Sequence, residues 1–340
     1  MKSEKLSIII PVYNGADCVA HCLDSVYALP LSADELEIIV VDDCSTDNTL
    51  QVLSDYAFPH PNLHILHQEH NLRQGAARNR GMEVAQGEYI AFVDADDEIV
   101  VEGFMNALAA VAKSKADICY FDFEYQDDNG EFHIFPMPKE THNTIMSAKQ
   151  YLNEFYTCWF NGPVRNLYRT DFLKATGIRF VEGLRWEDCD WTVKVYAQAD
   201  KIQFVDGVGY RYLCNPQSTR GDISAKTMTE RILAGCRLLT FAQQTSLLGL
   251  SYTITEEARY RYIENVLRLR NLTKYSVKDI CLMNKQIGTA NWQILHNYTW
   301  SSWVQFYIQH RILSIVFLFV ACPMAAVGRK IIASLRHITK

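Results

Sequence analysis

The amino-acid sequence predicts an α/β fold, with a mixed, mainly parallel sheet, helices on both faces and a C-terminal helical region. Two observations carry this prediction. Strand-like and helix-like patterns alternate four times within the first hundred residues, which is the rhythm of a parallel sheet. Beyond Ser224 the pattern changes, and apolar residues such as Met228, Ile232 and Leu239 recur at helical spacing.

The predicted strands are short, rich in β-branched residues, and end at polar loops. The first covers residues 6–10, stops at Pro11 and leads through a turn to a helix over about residues 18–27. The second and third cover residues 36–41 and 63–66, and the helix after the third ends near Gly87. The fourth, residues 90–93, is unbroken and apolar, as expected for a strand covered on both faces.

Later segments continue the sheet. Residues 117–125 and 132–135 read as two strands joined by the hairpin signal Asp-Asp-Asn-Gly. The segment from Gly162 leads to a small helix, a second helix opens at Glu187 and runs to about Ala199, and a strand begins at Val208.

Composition excludes several classes of protein. The chain is 49% hydrophobic and 21% charged, as an ordinary globular protein is, and its net charge of −6 makes nucleic acid an unsuitable partner. Its ten cysteines form no close Cys-x-x-Cys pair, which predicts reduced core residues. No signal-peptide-like run precedes the first strand, so we expect the catalytic part in the cytoplasm.

Two nucleotide-binding classes with a similar rhythm are also excluded. The first strand is followed by Pro-Val-Tyr-Asn-Gly and not by Gly-x-Gly-x-x-Gly, which argues against a dinucleotide-binding dehydrogenase. The glycine-rich, basic loop expected of a sugar-1-phosphate nucleotidyltransferase is missing there too.

A cluster of acids directly follows the fourth strand. Asp94, Asp96 and Asp97 stand where that strand ends, and ligands bind at the carboxyl ends of strands in open α/β sheets. Carboxylate oxygens suit Mg²⁺ or Mn²⁺, so the cluster predicts a metal-bound diphosphate. Short acidic runs also cap helices or make turns, and the cluster alone leaves that alternative open.

Four ordered motifs resemble those of the family 2 glycosyltransferases of GT-A fold. They are Ser-Ile-Ile-Ile-Pro-Val-Tyr-Asn from Ser7, Val-Asp-Asp-Cys-Ser-Thr-Asp from Val41, Asn71 with Gly-Ala-Ala-Arg-Asn-Arg-Gly from Gly75, and Asp-Ala-Asp-Asp from Asp94. The resemblance covers about two thirds of the chain and implies a nucleotide-sugar donor, usually a uridine or thymidine diphosphate sugar.

The resemblance also implies roles for individual residues. Tyr13 and Asp42 would face the base, Asn71 and Arg78 would lie close to the base or ribose, and Asp94 would approach the ribose and metal. Asp96 would be the direct ligand of Mn²⁺ or Mg²⁺. The donor-binding residues implied in this way are Pro11, Tyr13, Asp42, Asn71, Arg78, Asp94 and Arg220. Each has an alternative, since Tyr13 could pack its turn, Asp42 could cap the next helix and Asn71 could make a bend.

The pair Glu187-Asp188 opens a predicted helix and resembles the acidic pair that supplies the family's catalytic base, which by position is Asp188. Helix capping by acids is the alternative, and both roles are compatible. Trp186 and Trp191 flank the pair and could form a platform for a sugar ring or simply pack. A loop over residues 215–221 resembles one that closes over the diphosphate, so Arg220, and less clearly Arg211 and Ser218, would neutralise the leaving group.

The C-terminal region ends in an apolar segment, residues 312–328, which contains Pro323 and is followed by Arg329 and Lys330. The uncharged run is shorter than an ordinary membrane span, which favours an interfacial anchor at the inner face of the cell membrane, with a buried terminal helix as the alternative. We therefore divide the chain into a GT-A domain (residues 1–221), a helical extension (222–300) and a membrane-associated tail (301–340).

These inferences predict an inverting glycosyltransferase. It would move a sugar from a nucleotide-diphosphate donor, expected to be a UDP-sugar, to a hydroxyl of a glycan or lipid-linked acceptor in surface polysaccharide synthesis. The Gln-x-x-Arg-Trp motif of processive relatives does not occur, which predicts one sugar per encounter. The alternative is a catalytically silent glycan-binding or scaffold protein, but Asp96 and Asp188 are both present.

Overall fold

The structure, a computed structural model, describes residues 6–156, 162–214, 222–246, 248–267, 269–272, 274–298, 300–311 and 314. Contacts divide these residues into two units. The first contains the described residues up to 214 together with 248–250, and the second contains the remainder from residue 222 onwards.

The described part of the first unit builds one sheet. Its strands are β1 (Leu6–Val12), β2 (Leu36–Asp42), β3 (Leu63–His67), β4 (Tyr89–Phe92), β5 (Glu98–Ile99), β6 (Ile118–Gln126), β7 (Phe132–Phe135), β8 (Ile145–Ser147), β9 (Asn166–Arg169) and β10 (Lys201–Tyr212). Its helices are α1 (Val19–Tyr27), α2 (Thr49–Ala57), α3 (Arg73–Val84), α4 (Val101–Ser114), α5 (Ala148–Glu154), α6 (Thr170–Thr176) and α7 (Asp188–Gln198).

The sheet is mixed and mainly parallel, as predicted. Its order is β3-β2-β1-β4-β9-β6-β10-β5, with β7 added to β6 and β8 added to β10. The first four strands are parallel, and so are β6 and β10, whereas β9 runs antiparallel between β4 and β6. The sequence pattern assigns no strand to residues 166–169 and starts the last strand at Val208, so β9 and the earlier start of β10 at Lys201 correct the prediction.

Helices cover both faces of the sheet because successive residues of a strand point to opposite sides. On one face Ile8 and Ile10 of β1 join a core with residues of α1 and α4. On the other face Ile9 lies against α3, and Phe92 of β4 packs edge-on against Trp191 of α7. Both faces of β1 are therefore buried, which explains its unbroken apolar sequence.

Pro11 lies near the carboxyl end of β1. It pairs in register with Val41 of β2, but the ladder between β1 and β4 ends at Ile9 and Phe92. Because proline has no N–H to donate, it fits where pairing on that side has stopped. β1 and β4 therefore stop pairing just before their polar loops begin.

The second unit is helical, as predicted. Its helices are α8 (Ala225–Gln244), α9 (Leu248–Glu257, of which the first three residues are counted with the first unit), α10 (Asn265–Leu267), α11 (Leu269–Leu272), α12 (Val277–His296) and α13 (Ser302–Gln309), with a π-helix over Ala258–Glu264. Within the described residues no helix combines the length and hydropathy that a bilayer crossing requires. The apolar segment at residues 312–328 lies outside the described residues apart from Ser314.

Candidate active site

The polar loops after the first four strands meet at one edge of the sheet. β1, β2, β3 and β4 are parallel neighbours, so their carboxyl ends point the same way. Hydrogen bonds join the first two loops: the Asn14 N–H donates to Ser45 Oγ (2.9 Å), and the Thr46 N–H donates to Asn14 Oδ1 (2.7 Å). Tyr13 is 49% exposed between these anchored positions. A ring at this place is available for contact with a ligand.

Arg78 links the acids after β4 to the acidic pair at α7. Its Nη2 donates to Asp94 Oδ1 (2.7 Å) and its Nη1 donates to Glu187 Oε1 (2.6 Å). The Arg78 side chain is only 3% exposed, and Glu187 is also buried. Arg78 was expected close to the base or ribose, but its contacts are with these two carboxylates. Direct contact with a donor stays a prediction, while the link between two predicted site residues is a feature of the structure.

The helix α3 brings Arg78 to this position because two glycines let it approach its neighbours closely. A Cβ on Gly75 would lie 2.5 Å from the Val181 carbonyl oxygen, and one on Gly81 would lie 2.4 Å from Ile9 Cγ2. Asn79, also buried, donates to the Phe180 carbonyl and accepts from the Phe180 N–H, both at 2.9 Å. The Gly-Ala-Ala-Arg-Asn-Arg-Gly sequence thus holds the segment before α7 against α3.

Asp188 is the first residue of α7 and is partly exposed. Burial and the negative charge of Glu187 raise the pKa of its carboxyl, the positive charge of Arg78 opposes both, and the net result is a pKa of about 7. A pKa close to neutrality suits a general base, because about half of the groups are ionised at neutral pH and the carboxylate still accepts a proton strongly.

The helix-capping alternative holds only in part: Asp188 lies in the first turn of α7, where the helix dipole favours an acid, but Glu187 does not cap the helix with its side chain. Glu187 stands at the N-cap position but makes no side-chain capping bond, since its carboxylate binds Arg78. Directly before it, Trp186 has a φ of 61°, a left-handed conformation that costs a residue with a Cβ roughly 1 kcal/mol or more. Trp191 is 1% exposed and stacks on Phe180 with ring centroids 4.0 Å apart, so it belongs to the core and cannot be a sugar platform.

The three acids after β4 have different surroundings. Asp97 is buried, and its two oxygens accept from the Tyr210 hydroxyl (2.5 Å) and the Leu213 N–H (3.0 Å). Burial and the charges of Asp94 and Asp96 raise its pKa well above the ordinary value. Asp97 therefore fixes the loop, whereas Asp94 and Asp96 are partly exposed.

These two carboxylates fit a divalent metal of the expected kind. In the described part of the chain, three potential ligand atoms within 4.8 Å of one another occur at Asp122, His142 and Asp206 and at Asp127, Glu131 and His133, away from Asp94 and Asp96. Mg²⁺ commonly takes one or two carboxylates and completes its shell with water and substrate phosphates. Asp94 and Asp96, as two partly exposed carboxylates in one loop, offer oxygen donors of that kind.

Asp42, at the end of β2, is fully buried. Its Oδ2 accepts from His67 Nδ1 (2.7 Å) and from the Ser45 N–H (3.2 Å). It makes no helix cap, because α2 begins at Thr49 after the N-cap Asn48. Asn71 is exposed in the loop before α3. The next two residues, Leu72 and Arg73, donate their N–H groups to the Asp43 carboxylate (2.8 and 2.6 Å), so the loop that carries Asn71 is anchored to the residue that follows β2.

The structure describes one of the residues predicted to neutralise the diphosphate and not the other two. Arg211 donates from Nε to Glu124 (2.6 Å) and from Nη1 to Glu98 (2.9 Å), so its charge is already paired. Arg220 and Ser218 lie outside the described residues.

Several residues of the site were missed by sequence reasoning. His67, Asn79 and Tyr210 each act through a partner distant in sequence, at separations of 25, 101 and 113 residues. A histidine at a strand end next to an acidic strand end was the one signal that could have indicated the first of them.

The Glycosyl transferase family 2 profile matches residues 7–177, half of the chain. The chain is 30% identical over 214 residues to the uncharacterized glycosyltransferase YibD of Escherichia coli (strain K12), covering 62% of this chain and 61% of YibD. It is 33% identical over 211 residues to a poly(ribitol-phosphate) beta-glucosyltransferase of Bacillus spizizenii, covering 62% of this chain and 32% of that protein. The chain thus spans less than two thirds of the length of these relatives.

Among solved structures, residues 1–349 of S. aureus TarS in complex with UDP-GlcNAc match with a TM-score of 0.64 at 22% identity, over 92% of this chain and 88% of that chain. This likeness shows the fold, which is the GT-A fold that the motifs implied. The chain belongs to glycosyl transferase family 2.

Proposed function

We propose that the chain is an inverting glycosyltransferase. It transfers a sugar from a nucleoside-diphosphate donor, a UDP-sugar in the first place, to a hydroxyl of a glycan or lipid-linked acceptor in surface polysaccharide assembly. The UDP-GlcNAc complex of TarS and the poly(ribitol-phosphate) acceptor in the name of the Bacillus relative support the donor and the acceptor class. The donor and base chemistry lies in residues 1–221, and the tail provides a peripheral membrane contact.

The observation that carries the proposal is the connection through Arg78. One guanidinium binds Asp94, on the side of the donor and metal, and Glu187, the neighbour of the candidate base. A reaction in which an acceptor hydroxyl attacks the anomeric carbon needs a base and a stabilised leaving group at a fixed separation. Arg78 supplies that fixed separation from within the core.

In the proposed mechanism Asp188 accepts the proton of the acceptor hydroxyl as the hydroxyl oxygen attacks the anomeric carbon. The bond to the diphosphate oxygen breaks in the same displacement, so the configuration inverts and no covalent enzyme intermediate forms. Asp42 and Tyr13 orient the nucleotide base of the donor, and Asn71 lies on the ribose side of the donor. Arg220 would neutralise the charge of the departing diphosphate.

Asp96 and Asp94 would hold Mn²⁺ or Mg²⁺ at the diphosphate. Such an ion supplies positive charge to the leaving group. The protein's own part is to present two oxygen donors and to keep Asp94 oriented through Arg78.

The proposal is tested by presenting the full chain with a panel of nucleotide sugars and Mn²⁺, and by measuring thermal stabilisation and donor hydrolysis. We expect UDP-sugars to raise the melting temperature, because a ligand that binds only the folded state stabilises it. Asp96→Ala should abolish metal-dependent binding in calorimetric titration, while Asp55→Ala, an exposed position on α2, should not. Unchanged titration of the Asp96 variant would reject the metal assignment.

The second candidate is a silent glycan-binding or scaffold protein with the same fold. It would bind a glycan or nucleotide without turnover. The raised pKa of Asp188 favours the enzyme, because a scaffold has no need of a carboxyl that titrates near neutrality.

A further inference from the structure

The two oxygens of the Asp42 carboxylate have unlike environments. Oδ2 accepts two hydrogen bonds, from His67 Nδ1 and from the Ser45 N–H, while no donor among the described residues reaches the buried Oδ1. A buried carboxylate oxygen without a partner is costly. The arrangement therefore suits a site in which an incoming N–H group completes the shell of Oδ1.

His67 determines which oxygen of the Asp42 carboxylate has no hydrogen-bond donor. It is the last residue of β3 and pairs in register with Asp42, and the following Gln68 N–H donates to the Asp42 carbonyl (2.9 Å). Because a carboxylate only accepts hydrogen bonds, His67 Nδ1 carries the proton in this contact. The His67 side chain is 47% exposed, so it adds little to the core, and among the described residues its side-chain hydrogen bond is with Asp42.

We infer that His67 is a positioning residue that makes Asp42 select the nucleotide base of the donor. This inference rests on the proposed function. With His67 bound to Oδ2, Asp42 presents Oδ1 as an acceptor to a ring N–H, which uracil and thymine offer at N3. Cytosine has an unprotonated N3, whose lone pair would face the carboxylate lone pair and repel it.

We expect the nucleotide base to approach Asp42 from the end of the neighbouring strand β1. Tyr13 directly follows Val12, the ladder partner of Asp42 on β1, and is half exposed. Because Asp42 is covered, the base must displace a neighbouring side chain to reach Oδ1, and we expect the half-exposed Tyr13 ring to stack on the base as it enters. His67 on β3 holds Asp42 from the other side during that movement.

The experiment is calorimetric titration of the full chain with UDP and with CDP, in the presence of Mn²⁺. The parent protein should prefer UDP. His67→Ala should weaken UDP binding about tenfold and leave CDP binding nearly unchanged. The reason is that uracil depends on the position that His67 gives to the Asp42 carboxylate, whereas cytosine has no N3–H to bind there. His67→Asn should retain the preference, since its amide nitrogen replaces Nδ1 as the donor to Asp42.

His64 provides the control, because it is an exposed histidine on the same strand. His64→Ala should bind UDP and CDP as the parent does. The inference would be overturned if His67→Ala lost UDP and CDP affinity equally, or if it kept the parent's preference for UDP over CDP. Either result would leave the proposed function standing. If the parent fails to bind UDP at all, the proposed donor and this inference fall together.

Discussion

At the residue scale, the acidity of Asp188 is a balance of three effects. Burial and the Glu187 charge raise its pKa, and Arg78 limits the rise, so the carboxyl titrates at about 7. Arg78 is itself held between Asp94 and Glu187 in a place with almost no solvent. One buried guanidinium therefore holds two carboxylates together and also limits how far the pKa of the candidate base rises.

Removal of that guanidinium should be costly. Arg78→Met leaves the carboxylates of Asp94 and Glu187 close together and without their partner, and breaking a buried ion pair in this way typically costs about 3–5 kcal/mol. Urea unfolding should show a loss of that size. Arg80→Met, on the exposed side of the same helix and paired with the exposed Glu83 in the described part of the chain, should cost no more than about 1 kcal/mol. Similar losses in the two variants would contradict the structural role of Arg78.

The pKa of Asp188 also predicts the pH dependence of transfer. Because the ionised carboxylate is the active form, kcat/KM should fall about tenfold per pH unit below pH 7 and level off above it. Rate profiles at subsaturating donor and acceptor check this. A profile that is flat between pH 5 and 8 would show that no group of this pKa takes part.

At the scale of elements, α3 joins the two halves of the site. The loop that contains Asn71 precedes its N-terminus, and its buried face carries Arg78 and Asn79. Gly75 allows the segment before α7 to lie directly on the helix. The position of Asp188 thus depends on how closely α3 can be approached.

Gly75→Ala should separate site geometry from stability. The added Cβ would lie 2.5 Å from the Val181 carbonyl oxygen and 3.1 Å from Glu187 Cγ, so the segment leading to Asp188 must move. Overpacking of this kind costs about 1–3 kcal/mol, and we expect transfer to fall further than that loss explains, with a shifted pH midpoint. Gly81→Ala meets Ile9 in the core and should lose comparable stability in urea unfolding with a normal pH midpoint. Identical pH profiles for both variants would contradict this account of Gly75.

Sequence alone predicted the elements whose pattern is local. Strand β7 has the predicted bounds, and β1, β2 and β3 each extend only one or two residues beyond them. The antiparallel β9 was missed because its four residues, Asn-Leu-Tyr-Arg, have too little periodicity and are ordered by pairing with β4 and β6. The position of Asp188 at the start of α7 was predictable, but its ion-paired neighbour was not, because Arg78 and Glu187 lie 109 residues apart.

At the scale of the whole molecule, the family assignment rests on the first half of the chain, and the second unit is helical throughout its described residues. The apolar sequence of residues 312–328 and the basic residues after it still predict a membrane anchor. That prediction concerns the location of the enzyme and not its chemistry.

Truncation after Gln309 tests the anchor. We expect the shortened protein to leave the membrane fraction in sedimentation with anionic vesicles, since the apolar and basic residues that would bind lipid are gone. Donor hydrolysis should persist, because every predicted catalytic residue precedes the cut. Unfolding of the truncated protein, seen by circular dichroism, would instead make the segment part of the core.

The most direct test of the central claim is single-turnover transfer by Asp188→Asn. The substitution keeps the shape of the side chain and removes the proton acceptor, so transfer should fall by about 10² to 10⁴ while donor affinity changes little. Glu187→Gln should cost less, because it weakens the contact with Arg78 without removing the base. Near-parent transfer by Asp188→Asn would contradict the account, and Glu187 or the buried, Lys194-paired Asp190 would then have to be tested as the base.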